Sequence, residues 1–225
     1  MASYLTEADH QRVSDAVAAA ELNSAGEIVT VVADRSDGYS DVVLAWAALI
    51  GFTALTLFAL LPAFFLAKLD WLLGGWTTEW SQSELLGIAA TLAVGKFLAV
   101  WLVLQWEPLR FLLIPGPIKT ARTRARAIDL FKVGAERRTH GRTGIMIYLS
   151  MRERRAEIVA DEAIVGKVTP DVWGEAMAAL LAEVRHGRVA DGMIAAVGKV
   201  GVVLAQHFPR AEDDQNELPD RLIEL

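Results

Sequence analysis

From Val42 to Ala67 the chain carries no charged residue, and from Leu85 to Trp106 it carries only Lys96. About 20 apolar residues at helical rise cover the hydrocarbon core of a bilayer. Each run is therefore expected to form a transmembrane helix, with spans at about 42–67 and 85–106. Pro62 falls near the far end of the first span, where a missing N–H and a local kink are tolerated. Trp71, Trp76 and Trp80 fill the short connection and Trp106 closes the second span, as expected of indoles at headgroup level. Two spans joined this way form a hairpin that returns the chain to the side it left.

The flanks set the orientation. Lys68 is the basic residue of the connection, whereas Arg35 precedes the first span and Arg110, Lys119, Arg122, Arg124 and Arg126 follow the second. The positive-inside rule then places both termini in the cytoplasm, as in a multi-pass protein of a bacterial inner membrane. The N-terminal stretch MASYLTEADHQRVSD has neither the basic start nor the apolar core of a cleaved signal peptide, so insertion should rest on the internal segments. The formal charge of −6 disfavours wholesale binding to nucleic acid, and no aromatic residues interleave with the arginines after the second span. Those arginines read as a solvated face against anionic lipid. The chain has no cysteine, which excludes disulfides, zinc–thiolate sites and a cysteine nucleophile.

The polar flanks read as one α/β unit. TEAD, from Thr6, predicts a capped helix with Val13, Ala16, Val17 and Ala20 on one face. EIVTVVAD is a β-branched strand buried on both sides. After the hairpin, GPIKTARTRARAIDLFKVGAERR predicts a helix with Ala121, Ala125, Ile128 and Phe131 inward. TGIMIYLSM and AEIVA form a β-hairpin about the charged turn RERR. Thr169-Pro170 opens a helix ending at Gly187, and Asp191 is expected to cap the last one, where Val197, Val200 and Leu204 share a face and Gly198 and Gly201 allow close approach. A right-handed crossover makes the first two strands parallel. The domain plan is thus 1–40 and 118–209 as two parts of one domain, 41–117 as an inserted hairpin, and 210–225 as a loose acidic tail with a short docking turn at its end.

The order SAGEIVTVV, helix, TGIMIYLSMRERRAEIVADEAI, tryptophan, RHGRVADGMIAAVGKVGVVLAQHFP resembles the TPM-domain family over residues 6–37 and 118–209. The resemblance implies a small α/β sandwich of a short mixed sheet with covering helices, here interrupted by a two-helix transmembrane hairpin. It also implies divalent-metal binding, calcium above all, and in one branch acid phosphatase activity. Where members often carry Asp-Asn-Gly, this chain has Arg142-Thr143-Gly144.

Candidate site residues follow from the expected sheet. The end of the third strand should bring Asp161 and Glu162 to Glu27, giving carboxylate oxygens for calcium or magnesium, with His140 as acid or base and Arg142 as a phosphoryl contact. Each also has a plain reading as a solvated strand end or loop residue. Lys96, at mid-span, costs roughly 2.5 to 3.5 kcal/mol on insertion scales. It is either functional, snorkelling, or bonded to Thr53 or Thr56. The function expected is a membrane-anchored binding or accessory module for membrane-protein assembly or quality control, with a membrane-protein partner. The alternative is a divalent-metal-dependent phosphatase. Gly87 and Gly95 would permit self-association of the spans.

Overall fold

A computed structural model describes residues 4–75, 79–134, 143–210 and 220–225, the Pro170 side chain excepted. The chain divides into two compact units, one made of Met1–Asp37 with Pro115–Leu225, the other of Gly38–Ile114.

The first unit is mixed α/β. Strand β1 (Glu27–Ala33) pairs in parallel with β2 (Gly144–Ser150), in register from Glu27 opposite Gly144 to Ala33 opposite Ser150. β3 (Arg155–Ala160) returns antiparallel to β2. A last strand, β4 (Ile223–Glu224), lies parallel on the other edge of β1, so the order is β3-β2-β1-β4. β1 and β2 are buried along their whole length, which explains why both are continuous apolar runs instead of alternating ones.

Alternate residues serve the two faces. Ile28, Val32, Ile145, Ile147 and Leu149 join a core with helices α1 (Glu7–Glu21), α8 (Pro170–Val184) and α9 (Val189–His207). Val29, Val31, Met146 and Tyr148 face α6 (Gly116–Gly134) through Ala127 and Phe131. α1 begins where the sequence predicts, with the Thr6 hydroxyl accepting from Asp9 N–H at 3.2 Å and the Asp9 carboxylate accepting from Thr6 N–H at 3.1 Å. Gly201 lets α9 lie against α1, since a side-chain carbon there would fall 2.7 Å from Ala20 Cβ.

Several expectations need correction. The buried stripe of α6 is Thr123, Ala127 and Phe131, while Ala121 and Ala125 are exposed; the helix turns to bring the Thr123 hydroxyl to a polar network at the sheet. Arg188, not Asp191, is the N-cap of α9, and Asp191 instead pairs with Arg12. Gly198 faces open space. At the chain's very end, where a short docking turn is expected, Leu225 N–H donates to Val32 O and Asp34 N–H to Leu225 O, each at 2.9 Å, and Leu222 enters the core, while residues 211–219 of the acidic tail lie outside the described residues.

In the second unit, α2 (Ser40–Leu60) packs on α4 (Gln82–Val103), with α3 (Pro62–Leu72) between them and α5 (Glu107–Leu113) after. The first apolar run is not one helix to Ala67. Pro62, without an N–H, ends α2, and Leu61 leaves helical geometry at φ −130° and ψ 50°. Twenty-one residues in α2 still give about 31 Å of helix. Gly51 permits the crossing: a carbon added there would lie 3.2 Å from Ala93 O, whereas Gly87 and Gly95 meet nothing. The open end of the pair is fastened by an edge-on Tyr39–Phe111 contact, 5.6 Å between ring centres, and by Arg110 Nη1 donating to Gly38 O at 3.3 Å. Among the described residues three helices are long and apolar enough to cross a membrane: α2, α4 and α9. Half of the apolar stretch of α9 is buried, packed on α1, α8 and β2.

Candidate functional site

The sheet has two ends, and each gathers polar groups. At the end where β1 and β2 begin, Glu27 N–H donates to Thr143 O at 3.2 Å, and Asp161 N–H donates to Gly144 O at 2.9 Å from the opposite flank. Glu27 and Asp161 thus border the Thr143-Gly144 segment from its two sides, both buried at 5% exposure. Asp161 also heads the short helix α7 (Glu162–Val165), its carbonyl accepting from Ile164 and Val165 N–H. The adjacent Glu162 is exposed. Of the back-to-back acids, the first is drawn into the fold and the second faces solvent.

Sequence reasoning missed the third buried acid. Glu21, the last residue of α1, turns its carboxylate onto the start of β1, where Oε1 accepts from Ile28 N–H at 2.6 Å. Burial raises its pKa to about 8; the charges of Glu27 and Asp220 push the same way, and the Ile28 bond opposes. Glu21 consequently holds its proton at neutral pH. The sequence did contain a signal, because an acid in the last turn of a helix sits against the negative end of the macrodipole. A carboxyl that titrates near neutrality can take up or release a proton. Among the described residues, however, no group of three or more His, Cys, Asp or Glu is arranged to hold a metal ion. His140 and Arg142 lie outside the described residues.

At the opposite end, Ser36 centres a network that spans the sheet. Its hydroxyl lies 3.1 Å from the Tyr148 hydroxyl, 3.0 Å from that of Ser150 and 3.4 Å from that of Thr123. Glu153 completes it, accepting from Ser36 N–H at 2.9 Å and from the Ser150 hydroxyl. Glu153 is 2% exposed. Outside it, Asp34 accepts from the Tyr4 hydroxyl and from Arg152 Nε at 3.1 Å, and Asp37 pairs with Arg122 at 3.1 Å. Burial would raise the Asp34 pKa, yet the Tyr4 and Arg152 hydrogen bonds, with the charges of Arg152 and Arg35, bring it below the ordinary value. His10, isolated in sequence, meets Glu224 at 3.3 Å.

Lys96 is exposed on α4. Thr53 and Thr56 do not reach it; their hydroxyls donate back to Leu49 O at 2.7 Å and Phe52 O at 2.9 Å in their own helix.

No family model matches the chain, and no curated protein matches it. Among solved structures, the chain is similar to the NMR structure of BA42 protein from the psychrophilic bacteria Bizionia argentinensis, with a TM-score of 0.57 and 18% identity over 100% of this chain and 98% of that one. At that identity the likeness is one of fold.

Proposed function

We propose that α2 and α4 cross a bacterial inner membrane as a hairpin and hold a TPM-like α/β unit at its cytoplasmic face, where it works as a binding or accessory module for membrane proteins. The observation that carries this reading is a conflict in the chain itself. β1 and β2 pair side by side, yet between them lie two helices whose outward surfaces are apolar: Phe52 and Leu60 on α2 are 69% and 71% exposed, and Leu86 and Leu102 on α4 are 66% and 61% exposed. Such a surface is unfavourable in water and neutral in lipid. Because β1 and β2 share a sheet, residues 37 and 115 must occupy one side of the membrane, so a crossing by α2 requires a return by α4.

Lys96 then snorkels toward the headgroups along α4, its charge a local cost that the apolar span outweighs. Tethering confines the α/β unit to the membrane plane and raises its effective concentration toward membrane-bound partners. Two measurements test the two parts. Full-length chain should stay with membranes through an alkaline carbonate wash. Photo-crosslinkers placed at exposed positions of the α/β unit should capture membrane proteins in preference to soluble ones. Release by carbonate would end the anchoring idea, and capture dominated by soluble proteins would end the accessory role.

A further inference from the structure

Pro62 divides the first apolar run, and the part beyond it belongs to neither span. α2 alone, with 21 residues and about 31 Å of helix, is long enough to cross the hydrocarbon core. α3 adds 11 residues, about 16 Å, which is too short for a second crossing. Its end is fixed by Gly74 and Gly75, whose φ of 89° and 71° are left-handed, with Gly75 N–H donating to Asp70 O at 2.7 Å. α4 in turn opens on a polar turn, where Ser81 N–H donates to the Glu84 carboxylate at 2.8 Å.

α3 does not prolong the axis of α2. In a straight helix, residues seven apart are separated by about 10.5 Å along the axis. The rings of Phe58 and Phe65 nevertheless approach to 5.8 Å between centres. The chain therefore bends at Leu61, the residue that leaves helical geometry.

The surface of α3 is that of a helix packed on little protein. None of its residues is buried, and among the described elements α2 is the principal one against it. Phe64, Trp71 and Leu72 are 53%, 82% and 72% exposed, and Lys68 holds its Nζ 4.5 Å from the centre of the Phe64 ring. Phe64, Lys68 and Trp71 fall at i, i+4 and i+7, which makes them one stripe along the helix. Leu60 and Leu61, leading in, are 71% and 54% exposed, so the apolar surface of α2 continues onto α3. In water these side chains would be unfavourable, and Lys68 and Asp70 are the only charges the helix carries. Aromatic rings beside a lysine whose stem lies along one of them are the groups that settle at headgroup level.

We propose that α3 lies in the plane of the membrane, at the boundary between the headgroups and acyl chains of the outer leaflet. Phe64, Trp71 and Leu72 enter the lipid there, and Lys68 reaches the phosphate level. The inference rests on the hairpin reading above, which puts the far end of α2 at that boundary.

The test uses the full chain with single spin-labelled cysteines, in vesicles of phosphatidylethanolamine and phosphatidylglycerol. Label depth is read from relaxation by oxygen, which enters lipid, against a water-soluble nickel chelate. Labels at Phe64→Cys and Trp71→Cys should lie at one depth, about 5–10 Å below the phosphates. A helix along the membrane normal would separate them by about 10 Å. If Trp71→Cys does not insert, Leu72→Cys takes its place with the same expectation. Unequal depths of that size, or free access of the nickel chelate to both labels, overturn the proposal; the second outcome would make α3 a water-exposed surface. Phe52→Cys, at mid-length on α2, reports on the hairpin separately. A deep Phe52 label with α3 labels at unequal depth or in water ends the in-plane placement alone. A water-accessible Phe52 label ends the hairpin reading and this inference with it.

Discussion

The Ser36 hydroxyl lies 3.0 Å from the Ser150 hydroxyl, although the whole apolar hairpin and α6 separate them in the chain. That bond, with the β1–β2 pairing behind it, joins the part of the α/β unit made before the hairpin to the part made after it. Glu153 secures the junction from below. Glu153→Ala would take the acceptor from the half-buried Ser36 N–H, at about 1–3 kcal/mol for a donor left without a partner, while the Ser150 hydroxyl keeps the Ser36 hydroxyl. A thermal melt of the detergent-solubilised chain should show a clear loss of stability, and Glu153→Gln, which keeps an acceptor oxygen, a smaller one. Equal melting of all three proteins would remove the network from the account.

Two glycines on α9 should respond in opposite directions. Gly201→Ala places a methyl 2.7 Å from Ala20 Cβ and forces α1 and α9 apart, a clash worth about 1–3 kcal/mol. Gly198→Ala meets nothing and should stabilise the helix by about 0.5–1 kcal/mol. Melting temperatures of the two variants should therefore bracket that of the wild type.

Glu21 makes stability depend on pH. With its folded pKa raised to about 8 and an ordinary value of 4.5 in the unfolded chain, the folded state binds the extra proton between those limits. Stability then falls as pH rises from about 4.5 to 8, by at most about 1.4 kcal/mol per pH unit from this group. Burial raises Glu157 as well, which adds the same sign, whereas Asp34, lowered, acts only in acid, where its contribution is lost as pH falls. Glu21→Gln should flatten the decline between pH 5 and 8 and melt higher than wild type at pH 8. An unchanged slope would show that the carboxyl ionises freely.

What could be read from the sequence was what regular periodicity encodes. β1 and β2 announce themselves as β-branched runs because both faces of each are covered, and the RERR turn follows from the apolar strands on either side. Their parallel pairing follows from the long helical connection between them, which returns the chain to the end of the sheet where β1 began. The α6 face was misjudged because small alanines occur all around that helix, and the inward stripe is decided by Thr123, whose value lies in a hydrogen bond to a residue 87 positions away. β4 escaped notice since two residues carry no period; its place is set by an open edge of β1. Glu21 and Glu153 escaped for a related reason. An acid at a helix end or in a turn looks solvated until the fold brings backbone N–H groups to it. Glu27 and Asp161 were placed correctly at one sheet end, yet which of two adjacent acids turns inward depended on where α7 begins.

In the function proposed above, two apolar helices leave a single folded unit, cross the bilayer and come back to it. Because the chain has no cysteine, single cysteines report sidedness cleanly. Glu7→Cys and Lys199→Cys mark the α/β unit, and Glu79→Cys marks the connection between the helices. In intact spheroplasts a membrane-impermeant maleimide should label Glu79→Cys and spare the other two until the cells are opened. Labelling of all three from outside, or of none before lysis, would contradict the account.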